Sequence, residues 1–369
     1  MTRTLAQAIR ACWQGWLDAP VDATVFGTDD ADAIAGLLDA VARDHLGAGI
    51  VDCLGYYASV GCTALVRLAD DREVAIKAFQ PHTTTAFLTA VIAVQRHLHL
   101  AGYPAAEPLA GPLAIGGTHA TIDALLVDPG PIARPGAAVR RTCAAGLSRL
   151  VASTRSLVGT EAVAGLTEHP MTVRDDALWG RPHSPQFDFD APSPAVAEID
   201  ALGWAAKRAR DADRADLVIA HCDWTMRNLR VEPDPPIGSD ETREEIEPIA
   251  LEDRPVRLAA VFDWDSLALV AETQAVGQAA QTWRATGEHR APPWPDAAEV
   301  ASFVADYERA RGRPFTRSQR RAIGGAALYN IAYTARCEAA LQARWPDHDG
   351  HPHQALDLLF ADGDRLLSL

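Results

Sequence analysis

The hydrophobic pattern of this chain changes its period near residue 50, and this change limits the folds that the chain can adopt. Residues 29–46 have the apolar spacing of an amphipathic helix with an acidic start. From Ile50 to Gln80, alternating runs rich in Val, Ile and Tyr take over, punctuated by glycines and an Asp pair. They predict three antiparallel strands, over residues 50–57, 61–69 and 73–80.

The rest of the chain predicts a helix, two more strands and then a mostly helical region. Residues 84–101 have helical spacing, 110–128 predict the two strands, and 129–135 form a Pro-rich junction. The later helices are predicted over residues 137–157, 194–213, 271–286, 296–312 and 317–343. The fold class is therefore α+β with two lobes, a small β-rich N-lobe and a larger, mostly helical C-lobe.

The length of 369 residues suits two lobes, since a domain takes roughly 100–200 residues. We divide the chain into an N-terminal helical extension (1–48), an N-lobe (49–128) and a helical C-lobe (129–369). The strongly acidic segment 231–255 is predicted to be a solvated insertion between two short strands.

Composition excludes several classes of partner. The net charge of −15 argues against nucleic acid, because phosphate contacts need a basic surface. No apolar run approaches the roughly 18 residues of a membrane span, and no secretory signal is apparent, so we expect a cytoplasmic protein. Six cysteines without a CxxC pair predict reduced thiols. A monomer and a homodimer both remain open.

One of the few lysines is predicted to face the interior of the sheet. Of 34 Lys and Arg residues only Lys77 and Lys207 are lysines. In the segment VAIK, strand alternation puts Ala75 and Lys77 on one face. A lysine on an inner face is costly unless an anion meets it. The alternative is an edge-strand lysine that points to solvent.

The turn between the first two predicted strands has small residues at its tip. Ser59 and Gly61 lie within LGYYASVGCT. Backbone N–H groups of such a turn can cradle phosphate oxygens, and small residues permit close approach. The alternative is a plain hairpin turn.

Two polar clusters follow short apolar runs in the second half of the chain. HCDWTMRN, residues 221–228, follows the run LVIA and places His221, Asp223 and Asn228 on a loop. VFDWDS, residues 261–266, places Asp263 and Asp265 after another apolar run. Carboxylates at neighbouring strand ends suit a magnesium–phosphate site. The alternative for both clusters is a loop of capping residues.

The order of these features is that of a phosphoryl-transfer site: hairpin, strand Lys, His-x-Asp-x4-Asn, then a strand-ending Asp. With HCDWTMRN as the catalytic loop and VFDWDS as the metal-binding segment, the chain resembles the aminoglycoside phosphotransferase and choline kinase-like family over roughly residues 50–340. The resemblance implies a protein-kinase-like fold.

The same resemblance implies a role for each matching residue. Asp223 would be the catalytic base, and His221 would brace its loop. Asn228 and Asp263 would bind Mg²⁺. The nucleotide contacts would come from Lys77, from the hairpin residues Ser59 and Gly61, and from the hinge backbone at Leu126, Val127 and Asp128.

The chain departs from the family pattern at several positions. Cys222 stands where the family usually has Gly, and a His usual in the first C-lobe helix is absent. The helix after the third strand usually offers a Glu to the strand Lys, but no Asp or Glu occurs between Glu73 and Glu107. Gln95 could hydrogen-bond Lys77 there without neutralising it.

The resemblance implies a kinase that uses ATP, or GTP, and phosphorylates a hydroxyl of a small substrate. An aminoglycoside-type antibiotic is the first choice of substrate; choline-, sugar- and homoserine-like alcohols are alternatives. Because the usual Glu is missing, a nucleotide-binding pseudokinase is the competing hypothesis.

Two other segments are open to more than one interpretation. In the loop RPHSPQFDFD, Asp188 and Asp190 could face a substrate, or the loop could be connective, with Phe187 and Phe189 anchored in the core. In HDGHPH, the histidines at 348, 351 and 353 are predicted to lie in an exposed loop, with metal binding as the alternative.

Overall fold

A five-stranded antiparallel sheet forms the centre of the N-lobe. Its strands are β1 (Ile50–Ala58), β2 (Cys62–Leu68), β3 (Glu73–Ala78), β4 (Pro108–Ile115) and β5 (Thr118–Ala124). The spatial order is β1-β2-β3-β5-β4, so β3 is a central strand and not an edge strand. The five strands lie where the sequence pattern predicts them, with boundaries that differ by up to four residues, the largest difference being the end of β5.

The computed structural model places three helices on one face of this sheet. These are α1 (Leu5–Trp13), α2 (Pro20–Phe26) and α3 (Ala31–Leu46). The sequence pattern predicted only α3 as a separate helix. Helix α1 is short, and a capping box between Thr4 and Gln7 starts it. Apolar residues of α1 and α3 share one core with Val74 and Ile76 of β3.

Helix α4 (Thr85–Leu100) follows β3 in the chain, yet its apolar face packs into the core of the C-lobe. It begins at Thr84, whose hydroxyl accepts a hydrogen bond from the backbone of Phe87. Phe87, Leu88 and Val94 are fully buried in the same cluster as the C-lobe helices. Because α4 belongs to both lobes, it ties β3 to the loops on the other side of the cleft.

In the part of the C-lobe that the structure describes there are six α-helices. They are α5 (Ala137–Thr154), α6 (Val196–Arg210), α7 (Glu272–Thr282), α8 (Ala297–Arg311), α9 (Arg317–Arg344) and α10 (Gln354–Leu366). Helices α7 and α9 approach closely at Gly277, where a Cβ atom would lie 2.2 Å from the carbonyl oxygen of Ile323. Only glycine fits there, because the clash would be with backbone. Helix α10 was not predicted.

Two short two-stranded antiparallel sheets lie beside the cleft. Strand β6 (Leu217–His221) pairs with β9 (Leu267–Ala271), and β7 (Leu229–Pro233) pairs with β8 (Val256–Val261). The sequence pattern had not indicated β9. Since the loop after β6 runs into β7 and the loop after β8 runs into β9, the two pairings bring both polar loops to one place.

The structure describes residues 3–14, 20–128, 135–169, 173, 175–234, 255–286, 294–344 and 354–369. Most of the Pro-rich junction, residues 235–254 of the acidic insertion, and the histidines at 348, 351 and 353 lie outside these ranges. Within them, no helix is both long and apolar enough to cross a membrane.

Candidate active site

The loop after β6 holds a carboxylate and an amide in direct contact. Asn228 Nδ2 donates hydrogen bonds to the backbone oxygen of Asp223, at 3.0 Å, and to its Oδ2, at 2.7 Å. The loop is tightened further where the backbone N–H of Asn228 donates to Thr225 O at 2.9 Å. Both side chains are thereby fixed at the end of a strand that is buried in the C-lobe.

His221 links this loop to the second polar loop. Its Nε2 lies 2.8 Å from the backbone oxygen of Phe262, and its Nδ1 lies 3.3 Å from the backbone N of Asp223. The ring therefore donates through Nε2 and accepts through Nδ1, which requires a neutral imidazole. Burial lowers the pKa of His221, in keeping with that form. His221 therefore connects the two polar loops through hydrogen bonds.

Two tryptophans enclose His221. Trp224 and Trp264 are buried, and each ring meets the imidazole edge-on with centroids 5.8 Å apart. Trp224 Nε1 donates to Cys143 O at 3.0 Å, and Trp264 Nε1 donates to Val261 O at 3.0 Å. The two tryptophans therefore pack around the imidazole of His221.

The second polar loop carries Asp263 in a conformation that is rare for a non-glycine residue. Asp263 has φ 65° and ψ 47°, in the left-handed region. Its backbone oxygen accepts from Ser266 N at 3.0 Å, and the backbone N–H of Phe262 donates to Asn228 O at 2.9 Å. The second of these bonds joins the two loops directly and sets Asp263 next to Asn228.

Lys77 reaches from the N-lobe to this loop. Its Nζ forms ion pairs with the carboxylates of Asp263 and Asp265. Strand alternation is as predicted: Val74 and Ile76 face the core, while Lys77 faces the cleft. Because β3 is central, the edge-strand alternative does not apply. The sequence predicted that an anion would meet this lysine, and in this structure the anions are the two aspartate carboxylates.

The charged groups around Lys77 shift one another's pKa values. Burial would raise the pKa of Asp263, but the nearby Lys77 outweighs it and holds that pKa at about 2. Burial raises the pKa of Asp265 to about 6 despite the same lysine. The two carboxylates raise the pKa of Lys77 against the opposing effect of burial. Lys77 is therefore cationic and Asp263 anionic at neutral pH.

The amide nitrogen of Gln95, which the sequence had offered as a hydrogen-bond donor near Lys77, donates to other partners. Its Nε2 donates to Asp123 Oδ1 at 2.9 Å and to Ala106 O at 3.1 Å. Both amide hydrogens are thus used on other partners. Asp123 lies on β5 and had not been singled out.

The predicted phosphate hairpin packs tightly on β3. A Cβ atom at Gly61 would lie 2.5 Å from the backbone oxygen of Ala78, so only glycine permits this approach. Ser59 is exposed at the tip, and its N–H donates to Gly61 O at 3.0 Å. The hairpin tip is therefore held directly beside the strand that carries Lys77.

Gln80, just after β3, connects the hairpin with the loop that contains RPHSPQFDFD. Its Nε2 donates to Val60 O at 2.8 Å and to His183 O at 2.9 Å. In that loop, Phe189 packs against Trp179 and Tyr333, whereas Asp188 and Asp190 are exposed. The aromatic anchoring matches the connective interpretation, and the exposed carboxylates leave contact with a substrate open.

The predicted hinge lies at the edge of the cleft. Leu126 is half-buried, and Val127 and Asp128 are exposed. Asp128 accepts a hydrogen bond from Arg230 Nε at 2.7 Å, which ties the hinge to strand β7.

Reasoning from the sequence named Asp265 as part of a polar cluster but gave it no role of its own, and it did not name Asp123 or Gln80. Asp265 had a signal, since two acids two residues apart follow a strand in VFDWDS. Asp123 and Gln80 had none, because their positions beside Lys77 and beside the hairpin depend on strand register and on the path of a distant loop.

The residues present are chemically suited to a divalent cation. Asp263 and Asp265 offer carboxylate oxygens, and Asn228 keeps its amide oxygen because Nδ2 is the atom that donates to Asp223. Among the described residues no group of three or more His, Cys, Asp or Glu side chains is placed to hold a metal ion by itself. Mg²⁺ is commonly bound by one or two carboxylates together with phosphate and water. Two carboxylates and one amide oxygen are an incomplete ligand set of this kind.

Comparisons of the sequence found no matching family model and no matching curated protein. Comparison of the structure found similar solved proteins. An amicoumacin kinase in complex with AMP-PNP, Ca²⁺ and Ami has a TM-score of 0.55 at 10% identity, covering 90% of this chain and 92% of the other.

Two further structures match at the same level. A presumptive aminoglycoside phosphotransferase from Ralstonia eutropha has a TM-score of 0.50 at 17% identity, covering 90% of this chain and 96% of its own. An aminoglycoside 2'-phosphotransferase in complex with GDP has a TM-score of 0.50 at 10% identity, with coverages of 88% and 95%. The chain therefore has the two-lobed, protein-kinase-like fold of these small-molecule phosphotransferases, as the motifs HCDWTMRN and VFDWDS predicted.

Proposed function

We propose that this protein is a phosphotransferase that moves the terminal phosphoryl group of ATP or GTP to a hydroxyl of a small molecule. One observation carries the proposal. Asp223, Asn228, Asp263 and Lys77 come from distant segments of the chain and meet in one cleft. A plain capping loop has no need for a lysine from the opposite lobe.

Asp223 is the proposed general base. Asn228 occupies Oδ2, and among the described residues no donor contacts Oδ1, so that oxygen is available to a substrate hydroxyl. Burial and the nearby Asp263 raise the pKa of Asp223, which makes it a better proton acceptor. The hydroxyl proton passes to Oδ1 while the oxygen attacks the terminal phosphorus and the bond to the leaving nucleotide breaks.

Asp263, Asn228 and Asp265 are the proposed metal-binding residues. Bound Mg²⁺ would neutralise charge on the phosphates. The protein contributes rigid placement: the bond between Phe262 N and Asn228 O keeps the two loops together. His221 holds the same two loops through Phe262 and Asp223.

The proposed nucleotide site consists of Lys77, the hairpin at Ser59 and Gly61, and the hinge backbone at Leu126, Val127 and Asp128. Lys77 is the cation nearest the carboxylates, so it is placed to contact phosphate oxygens. The small residues of the hairpin permit close approach of phosphate oxygens, and the exposed hinge residues Val127 and Asp128 are suited to contact with a base.

For the acceptor, an aminoglycoside-type antibiotic is the first compound class to test. The support is that an aminoglycoside 2'-phosphotransferase and an amicoumacin kinase have similar folds. The exposed Asp188 and Asp190 offer negative charge to a cationic substrate. Choline-, sugar- and homoserine-like alcohols are the other acceptors, since fold alone does not fix substrate. A cytoplasmic location remains a prediction.

The test is Asp223→Asn, assayed for Mg²⁺-dependent nucleotide hydrolysis and for transfer to a panel of these alcohols. Loss of a general base should lower turnover by about a hundredfold to ten-thousandfold, with nucleotide affinity within a few-fold of wild type. The matched control is Asp216→Asn, an exposed residue with φ 51° where Asn is well tolerated. Its turnover should equal that of wild type.

The competing pseudokinase hypothesis makes the opposite forecast. If the chain only binds nucleotide, any slow hydrolysis will be the same in wild type and in Asp223→Asn. Equal rates together with tight nucleotide binding would replace the kinase proposal by a sensor or scaffold.

A further inference from the structure

The charge balance of Lys77 changes if the proposed function holds. In this structure its two anionic partners are Asp263 and Asp265. Both are proposed to face a metal ion during catalysis, so neither can remain a full partner of the lysine. A buried ammonium group without a counter-ion is costly. Nucleotide phosphates would then meet Lys77 on one side, and a further carboxylate beside it on the sheet would hold the lysine in place against them.

Asp123 is the carboxylate that the sheet offers. On the adjacent strands β3 and β5, Lys77 pairs with Thr121, and Ala75 pairs with Asp123. Lys77 and Asp123 are therefore diagonal neighbours on the cleft face, a separation of about 7–8 Å that long side chains can span. The charge of Lys77 already acts on Asp123, because it lowers the pKa that burial would otherwise raise further.

Gln95 holds Asp123 ready. The buried amide of Gln95 donates to Asp123 Oδ1 at 2.9 Å and is itself fixed by its bond to Ala106 O. Among the described residues, Asp123 forms no ion pair with an Arg or Lys. Burial raises its pKa to about 7, a sign of how poorly compensated this carboxyl is in the absence of ligands.

We propose that Asp123, oriented by Gln95, is the positioning residue that holds Lys77 against the nucleotide phosphates once Asp263 and Asp265 bind metal. The inference rests on the proposed function. It also explains how helix α4 can lack acidic residues. The carboxylate comes from Asp123 on the strand beside Lys77, and the helix supplies only the amide of Gln95, which orients that carboxylate.

The test compares Asp123→Asn, Gln95→Glu and the double variant Gln95→Glu/Asp123→Asn. Mg²⁺–ATP affinity is measured by calorimetry, KM and kcat by nucleotide hydrolysis, and stability of the ligand-free protein by urea unfolding. Asp123→Asn should weaken nucleotide binding about ten- to hundredfold, with kcat reduced less than affinity. The double variant moves the carboxylate to α4 and should recover affinity to within about fivefold of wild type.

Stability separates positioning from a structural role. Asp123→Asn removes a poorly compensated charge, so the ligand-free variant should be as stable as wild type or more stable. A structural role predicts the reverse, with lower stability, unchanged nucleotide affinity and no rescue by Gln95→Glu. The matched control is Asp71→Asn, an exposed turn residue with φ 66°, which should leave affinity unchanged.

The outcomes also distinguish this inference from the function on which it rests. If wild type binds Mg²⁺–ATP and Asp123→Asn binds it equally well, the inference on Asp123 is wrong and the proposed function stands. If wild type binds no Mg²⁺–nucleotide at all, both are overturned.

Discussion

The ammonium group of Lys77 forms an ion pair with the carboxylate of Asp263 across the cleft between the two lobes. The lysine comes from the centre of the N-lobe sheet, and the aspartate comes from a loop of the C-lobe. One residue of the proposed phosphate site thus contacts one residue of the proposed metal site. Mg²⁺–nucleotide binding has to exchange this contact for contacts with the ligand.

We expect Lys77→Met to destabilise the ligand-free protein by about 2–3 kcal/mol, because it leaves two partly buried carboxylates together without their cation. Urea unfolding measures this. The same change should let Mg²⁺ alone, without nucleotide, raise the melting temperature more than it does in wild type. Arg10→Met, which breaks an exposed pair with Asp32, is the control and should cost under about 1 kcal/mol. A Lys77→Met variant of wild-type stability contradicts the charge balance described for the cleft.

We expect Gly61→Ala to weaken nucleotide binding about tenfold and to cost about 1–3 kcal/mol of stability, because the new methyl group meets the backbone of β3 at Ala78 and pushes the hairpin away. Calorimetry with Mg²⁺–ATP and urea unfolding measure the two effects. The control is Gly117→Ala, in a turn of the same sheet where a Cβ atom meets nothing within 4 Å. If both variants bind nucleotide like wild type, the hairpin has no part in the phosphate site.

His183 should make stability depend on pH below neutrality. Burial, aided by the charge of Arg227, lowers its pKa to about 4, and its Nδ1 lies 2.7 Å from the hydroxyl of Tyr333. The unfolded chain therefore binds a proton that the folded chain does not. This contribution is fully present above about pH 6.5 and is lost as the pH falls from there towards 4.

Between pH 7 and pH 5, the free energy of unfolding should fall by about 1–2 kcal/mol less in His183→Gln than in wild type. The difference is smaller than the pKa shift alone would give, because the ring is partly exposed. Urea unfolding at the two pH values measures the difference. His45→Gln, at an exposed position on α3, should keep the wild-type dependence. Identical slopes in wild type and His183→Gln would show that the ring is protonated in the folded protein.

Local patterns predicted those parts of the fold that depend on local physics. Alternation in VAIK placed Lys77 on the cleft face, and the apolar run before His221 is a buried strand, because burial of one face dictates the residue pattern. Helix α1 and strand β9 were not predicted, because each is short and is stabilised by packing against elements that are far away in the chain.

Contacts within the candidate site were harder to predict than the residues proposed for it. The motifs indicated Asp223, Asn228 and Asp263, but strand alternation does not say which strand lies beside β3. Only the pairing of β3 with β5 puts Asp123 diagonal to Lys77. The contact of Gln95 with Asp123, where Lys77 had been expected, has the same cause: α4 packs on the C-lobe, and this sets where its side chains point.

The most direct test of the central claim is a thermal-shift measurement with ATP and with GTP, each with and without Mg²⁺, on wild type and on Asp263→Ala. A ligand that binds only the native state stabilises it by about 2.7 kcal/mol at a hundredfold excess over its dissociation constant. We predict a clear Mg²⁺-dependent rise with at least one nucleotide in wild type, and loss of the Mg²⁺-dependent part in Asp263→Ala. No shift with either nucleotide, or an equal shift in both proteins, would contradict the account.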